Sequence, residues 1–318
     1  MTISRAEAKI QPMDNKMNNK RKERKRYSLL FMAIPLMMLV FLFNYVPLLG
    51  WGLAFFDYRP GIPLFQNPFV GLRFFRMFLT DTIDTMRVLQ NTLIFGTINI
   101  VLSPMPMILA IMINELRLPF FKKFVQTTTT LPHFVSWVIV FSIAFNFFAT
   151  DGLLNQIFFR DLGLIDRPSN VLADGSAVYW FQTVLGQWKG LGWAAIVYMA
   201  AISGIDQELY EAAAIDGAGR FRATLNITLP GLVPTYIVLL LLGIGNFLNL
   251  GLEQFLLFRN PLTAANIEVI DLFVYRVGLL NQDFSYGVAV GILRSVVSLV
   301  LLFTANFIAK KVRGTSFF

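Results

Sequence analysis

The chain has no cysteine and one histidine, His133. Without thiols there is no disulfide framework, no thiolate metal site and no cysteine nucleophile. A single imidazole supplies no histidine-rich metal cluster. The phosphate-loop spacing G-x-x-x-x-G-K-[ST] is absent despite 22 glycines, so the chain is not expected to bind ATP by itself. H-E-x-x-H and G-x-S-x-G are absent too. Glu208, Glu211 and Asp216 lie near one another but lack a His or Lys partner for acid–base chemistry. The sequence therefore offers no catalytic residue and no metal ligand.

What is present is apolar. Of 318 residues, 56% are hydrophobic and 32 are Phe, against roughly 45–50% apolar in soluble domains. The excess gathers into blocks long enough to cross a bilayer, about 20 residues each. The expected fold is all-α, a polytopic bundle of six membrane helices. The spans are read as about Leu29–Gly50, Asn91–Ile113, Thr130–Thr150, Phe181–Ile202, Leu232–Leu250 and Tyr286–Ile308. Between the first two lies an aromatic, Pro- and Gly-rich segment with an interfacial helix expected around Gly71–Phe78. Residues 151–180 and 251–285 are read as further external segments.

Charge orients the bundle. Residues 1–27 form a basic tail containing Lys20–Arg26, "KRKERKR". In isolation that run reads as a nucleic-acid patch; beside an apolar run it reads as a cytoplasmic flank meeting anionic lipid headgroups. The apolar run after it is too long and bulky for a cleavable signal. Of ten lysines, nine lie in the tail, at Lys122 and Lys123, or at Lys310 and Lys311. All nine are cytoplasmic if both termini are cytoplasmic. Lys189 is the exception. The six-helix membrane domain so defined covers residues 28–310, with a short cytoplasmic tail at 311–318.

One polar insert, about residues 206–230, interrupts this pattern: "DQELYEAAAIDGAGRFRATLNITLP". "DQELYEAAAI" favours a helix with Asp206 as N-cap. Ala212, Ala213 and Ala214 make a small-sided patch. "DGAG" permits a sharp turn, and "RFRATLNI" resumes a helix before Pro230 and Pro234. The expectation is a helix–turn–helix on the cytoplasmic face, suited to a groove on a partner protein.

Glu211-Ala212-Ala213, Asp216-Gly217-Ala218, Leu229-Pro230 and Pro234 resemble the EAA loop of bacterial ABC importer permeases. "YVPLLGWGLAFFDY", "NELRLPFFKKFVQTTTTLPHFVSWVIVF", "DGLLN", "WKGLGW" and "GTSFF" look like the LplB-like polysaccharide permeases. The resemblance covers nearly the whole chain after the basic tail. It implies a non-catalytic subunit in a bacterial inner or cytoplasmic membrane, importing oligosaccharides. It implies a second homologous permease subunit, two ATPase subunits and an external solute-binding lipoprotein as partners, with ATP and Mg on the ATPase. It also implies that Glu211, Ala212, Ala213, Asp216, Gly217, Ala218 and Pro230 carry the ATPase coupling.

Substrate-path candidates are read from chemistry. Pro104 and Pro106 interrupt the second span, either as a plain kink or as an irregularity beside the path. Trp188, Trp193 and Tyr198 stack on sugar faces or anchor helices at the headgroups. Asn246 and Asn249 need polar partners in an oily span, either sugar hydroxyls or neighbouring helices. Arg294, in the last span, snorkels, lines the path or pairs with a carboxylate such as Asp283. His133 has a sugar or proton role or is an interfacial or helix-packing residue. The rival functions are a permease for another small solute such as a peptide, a membrane scaffold or sensor docking a signalling protein, and an ion-coupled transporter. The last is disfavoured because the spans hold essentially no acidic residue.

Overall fold

The computed structural model describes residues 31–80, 82–162 and 168–313. The basic run Lys20–Arg26 and the ending Gly314–Phe318 lie outside them. Among the described residues the chain is helical, with no sheet and one isolated bridge between Phe56 and Phe69.

Helical stretch α1 runs Phe31–Phe55. The expected interfacial helix is α2, Arg73–Thr80, with Phe74 and Phe78 buried one turn apart. Helices α3 (Thr82–Val101) and α4 (Met105–Glu115) together make the second span. Then follow α5 (Pro119–Thr130) and α6 (Trp137–Phe148). Next come α7 (Val178–Ser203), α8 (Gln207–Ile215) and α9 (Arg220–Gly245). Three short helices, α10 (Glu253–Phe258), α11 (Ala264–Ile267) and α12 (Ile270–Tyr275), precede the long α13 (Phe284–Arg313). Five helical stretches are long and apolar enough to cross a membrane. A sixth qualifies only as α7 with α8, which bend by 69° at their junction. Val300, Phe303 and Phe307 form an exposed row on α13; a continuous apolar row of that kind suits a hydrocarbon surround.

Residues 251–285, read as an external segment, are not a bare loop: they contribute a row of buried side chains to the core. Phe255, Phe258, Ile267, Val269 and Leu272 pack with Phe95, Ala144, Val178 and Phe181. Ile270, Phe273 and Val277 pack with Phe74, Phe78, Val88 and the Tyr286–Val290 face of α13. Polar bonds fasten the segment as well. Asn91 of α3 donates to the carbonyls of Ala265 at 2.9 Å and Glu268 at 3.1 Å, and Tyr179 of α7 donates to Asn91 at 2.6 Å. Buried Glu268 pairs with Arg276 at 2.5 Å. Helices of six residues or fewer are too short to display a 3.6-residue period, which is why sequence pattern misses them.

The third span also begins later than Thr130. Pro132 ends α5, a tight turn covers Leu131–Phe134, and Ser136 caps α6. The carbonyls exposed by that break find one donor: the Lys189 ammonium bonds those of Pro132 at 3.4 Å, His133 at 2.7 Å and Val135 at 2.6 Å. It also lies 5.5 Å from the Trp137 ring centre. Close approach makes this possible. A Cβ on Gly192 would sit 2.1 Å from the Thr129 carbonyl oxygen, so only glycine allows α7 and α5 to touch here. One residue on, Trp193 stacks on His133 with centroids 4.6 Å apart and planes 3° apart. His133 thus packs on Trp193, as one of its expected readings has it, and Lys189 is held by carbonyls.

Lys189→Met removes three charge-assisted bonds and is expected to cost about 2–4 kcal/mol. Lys189→Arg keeps the charge and should recover part of the loss. Thermal unfolding of the detergent-solubilised protein measures both.

Candidate functional site

Two regions concentrate the chemistry: the exposed insert and a polar cavity. In the insert, Asp206 has extended backbone and its carboxylate accepts the Glu208 N–H at 3.0 Å, capping α8 as expected. Helix α8 closes at Gly217, whose φ is +76°. Gly217 N–H bonds the Ala214 carbonyl at 3.1 Å, and Ala218 N–H bonds that of Ala213 at 2.9 Å. This is a Schellman closure, which requires the left-handed residue to sit between Asp216 and Ala218. A second short helix, Arg220–Ala223, then widens at Thr224–Thr228 and merges into α9. The Leu229 N–H reaches the Thr224 carbonyl, five residues back. Pro230 follows directly with no N–H to give, so the wide turn absorbs its missing donor.

Side-chain bonds fix the insert at its base. Tyr210 and Thr228 share a hydroxyl bond of 2.9 Å, tying α8 to α9. Thr224 donates to Glu115, at the end of α4, at 3.2 Å. Glu211, Ala212 and Asp216 are exposed; Ala213 and Ala218 are half-buried against each other's turn. Sequence reasoning singled out the small and charged residues and passed over the large apolar ones. Ile215 is 87% exposed and Phe221 77%, on either side of the turn. Unlike the bare apolar residues of the spans, these two sit among the charges of the polar insert. Their signal in the sequence is plain: two large apolar residues flanking a Gly-containing polar turn.

The cavity lies where two helices break. Neither Pro104 nor Pro106 has an N–H, so the carbonyls of Ile100 and Leu102 lose their normal donors. Those of Ser103 (3.1 Å) and Met105 (3.0 Å) replace them, through tight turns that separate α3 from α4. Opposite, α9 ends at Gly245 and Asn246 takes the C-cap, its side chain returning a bond to the Leu242 carbonyl at 3.0 Å. Between the breaks is a cavity of about 260 Å³. Asn99, Ser103, Asn246 and Asn249 line it, with Phe247 and Gly96. Ser103 shares a bond of 3.1 Å with Tyr236. Among the described residues, the amides of Asn99 and Asn249 make no hydrogen bond within the chain. They are exposed and available to a ligand hydroxyl.

A larger cavity, about 430 Å³, lies among Phe141, Phe145, Phe258, Asn170 and Asn260. Its amides are already engaged. Asn170 bonds Thr150 and Ala173, and Asn260 bonds Leu172, Leu262 and Thr263. It has space but little free hydrogen-bonding capacity, so the smaller cavity is the better ligand site.

The structure brings Asn246 and Asn249 together and adds Asn99 and Ser103, which sequence reasoning missed. Their signal was polarity one helical turn apart in an oily span. Pro104 and Pro106 shape the break without lining the cavity. Trp188 is half-exposed on α7, and Trp193 is stacked on His133. Tyr198 is 2% exposed in a core with Met107, Ala110, Ala195 and Leu232. None of these three aromatic residues lines the cavity. Arg294 pairs with Asp271, not with Asp283. Asp283 instead accepts the Tyr286 N–H at 3.1 Å, at the start of α13. The Asp271 partner stands 23 residues away in sequence, and only the fold brings it to Arg294.

Comparison with known proteins places these features in a family. The chain is 41% identical over 288 residues to Protein LplB of Bacillus subtilis, covering 89% of this chain and 88% of that one. It is 40% identical over 289 residues to the polygalacturonan/rhamnogalacturonan transport system permease protein YteP of the same organism, covering 89% and 88%. A crystal structure of a bacterial ABC transporter involved in import of the acidic polysaccharide alginate has a similar chain, with TM-score 0.81 and 33% identity. The match covers 92% of this chain and 98% of that one. Residues 102–314, which hold both the cavity's break and the insert, match the binding-protein-dependent transport system inner membrane component. The chain belongs to that family of ABC importer permeases.

Proposed function

We propose that this permease is one of two homologous membrane subunits of an oligosaccharide importer, powered by a separate pair of ATPase subunits. The observation that carries the reading is one helix. Helix α9, Arg220–Gly245, has the exposed turn at one end and the Asn246 cavity at the other. A displacement of the turn therefore reaches the cavity wall along a continuous helix. Ile215, Phe221 and the small face around Ala212 dock in a cleft on the ATPase, while Glu211, Asp216 and Gly217 fix the shape of the docked element. Pro230 starts the helix that transmits the movement.

The saccharide reading rests on the amides. Sugars present many hydroxyls, each both donor and acceptor, and carboxamides match both. Phe247 adds a ring face for apolar C–H surfaces. The polygalacturonan/rhamnogalacturonan and alginate cargoes named for its relatives support the same class. An external solute-binding lipoprotein delivers the sugar; ATP and Mg stay on the ATPase.

We read α7 as the sixth span, bending into α8 where the chain leaves the membrane; an even count puts both termini on one side, and the lysine distribution favours the cytoplasm. Lys189 no longer opposes this orientation, because its charge is satisfied by backbone carbonyls. The insert at 206–230 is then cytoplasmic, where the ATPase is, and the membrane is the bacterial inner or cytoplasmic membrane.

Two measurements on the complete importer in proteoliposomes test the reading. Ile215→Asp with Phe221→Asp is expected to lower substrate-stimulated ATP hydrolysis by about tenfold or more, with the same amount of permease inserted. Unchanged stimulation removes the insert from coupling. Asn246→Ala with Asn249→Ala is expected to lower labelled oligosaccharide uptake by about tenfold, with the ATPase still bound. Wild-type complex that binds its partners but moves no saccharide would favour a scaffold or sensor, and movement of peptide instead would reassign the cargo.

A further inference from the structure

Four of the eleven residues that line the polar cavity belong to 246–250, which are not helical. Within that segment Asn249 N–H bonds the Asn246 carbonyl at 2.8 Å, a turn that fixes local shape but not position. The hold on its far end comes from elsewhere. Asp271, in the first turn of α12, accepts the N–H groups of Leu250 at 3.0 Å and Gly251 at 3.2 Å through Oδ2. Among the described residues no other side chain bonds the backbone of this stretch. The remaining oxygen, Oδ1, meets the Arg294 guanidinium of α13. The Asp271 side chain is 10% exposed and that of Arg294 25%.

One carboxylate is thus shared between a membrane helix and the chain just after Asn249. Its strength as an acceptor depends on its charge, and its charge depends on Arg294: a buried carboxylate stripped of its partner is strongly destabilised and tends to protonate or turn away. Either response weakens the bonds to Leu250 and Gly251. An amide that must meet a ligand at hydrogen-bond distance tolerates little displacement.

We infer that Arg294 and Asp271 are positioning residues for the cavity: the ion pair pins the chain at Leu250–Gly251 and so sets where Asn249 stands, without either residue touching the cargo. The inference rests on the cavity as the ligand site of the proposed importer. It replaces the expected path-lining role of Arg294 with an indirect one.

The absence of native cysteine in this chain means that label resolved on this chain reports the introduced thiol alone. Asn249→Cys is made alone and with Arg294→Met or Arg294→Lys, and the rate of reaction with a small uncharged maleimide is measured on the assembled, detergent-purified complex. Phe65→Cys, 87% exposed and distant in sequence, serves as the control site. Arg294→Met is expected to raise the rate at Asn249→Cys by about fivefold or more. Arg294→Lys, which keeps the charge, should stay within about twofold of the parent. The control rate should not move. An unchanged rate at Asn249→Cys with Arg294→Met overturns the inference. If the control rate moves as well, Asp271→Asn decides, because it keeps size and an acceptor oxygen while removing the charge; a parental rate at Asn249→Cys in that background overturns the inference too. Labelling needs no ligand, so this result stands apart from whether the cavity takes a saccharide. Protection of Asn249→Cys by added oligosaccharide tests that separate point.

Discussion

A backbone group freed inside an apolar span has no water to turn to, so each helix break must be satisfied by the chain itself. This chain breaks its helices at Leu102–Pro104, at Leu131–Ser136 and after Gly245, and each break has its own device. The two prolines are covered by tight-turn bonds from the residues just before them. The carbonyls of the second break receive the Lys189 ammonium. The N–H groups beyond the third receive the Asp271 carboxylate, held in turn by Arg294. Lys189 and Asp271 are thus directed to backbone, while Arg294 holds Asp271 and Glu268 pairs with Arg276. A charge in such surroundings is costly unless paired and hydrogen-bonded, and these are.

The same constraint explains where the cavity is. An unbroken apolar helix shows only side chains to its neighbours and makes all its backbone bonds internally. Breaks in α3–α4 and at the end of α9 face one another, and the polar residues that cap or border them, Ser103 and Asn246, become the lining. Asn99 and Asn249 add amides with no partner in the chain. Local irregularity and ligand chemistry therefore arise from one cause, the need to end helices where other helices continue.

Much of this was legible in the sequence, and the boundary is physical. Spans are runs of composition, so they are read from the chain directly. Asp206 as N-cap and Gly217 as turn are local rules acting over a few residues, and both stand. The breaks at Pro104 and Pro106 follow from a missing N–H. What escaped was long-range or too short to be periodic. Residues 251–285 carry Gly, Pro and charges, and nothing in their pattern announces that their apolar side chains meet α3, α7 and α13. Pairing with a carboxylate was one of three readings of Arg294, with Asp283 as the example; Asp271 is the one the helices deliver. Lys189 read as an exception to a charge rule because its three acceptors lie over 50 residues upstream. Tyr198 read as a sugar platform by chemistry alone, and its burial puts it in the core.

The remaining step concerns how a contact on the insert would reach both walls of the cavity. Helix α8 is rigid at both ends, capped by Asp206 and closed at Gly217, so it moves as a body rather than unravelling. The Tyr210–Thr228 bond joins it to the base of α9, whose far end is Asn246. The Thr224–Glu115 bond joins the same base to the end of α4, and α4 leads through the proline break to Ser103 and Asn99. The two walls thus share one root. If they moved as a rigid pair, nothing would open; the breaks allow them to differ. Pro104, Pro106 and the wide turn before Pro230 are points where a helix can hinge without losing a backbone bond it ever had. Coupling of this kind is reciprocal for binding: whatever state of the cavity a bound ATPase favours must in turn favour that bound ATPase. In the proposed importer the insert is therefore as much a report of the cavity's state as a handle on it.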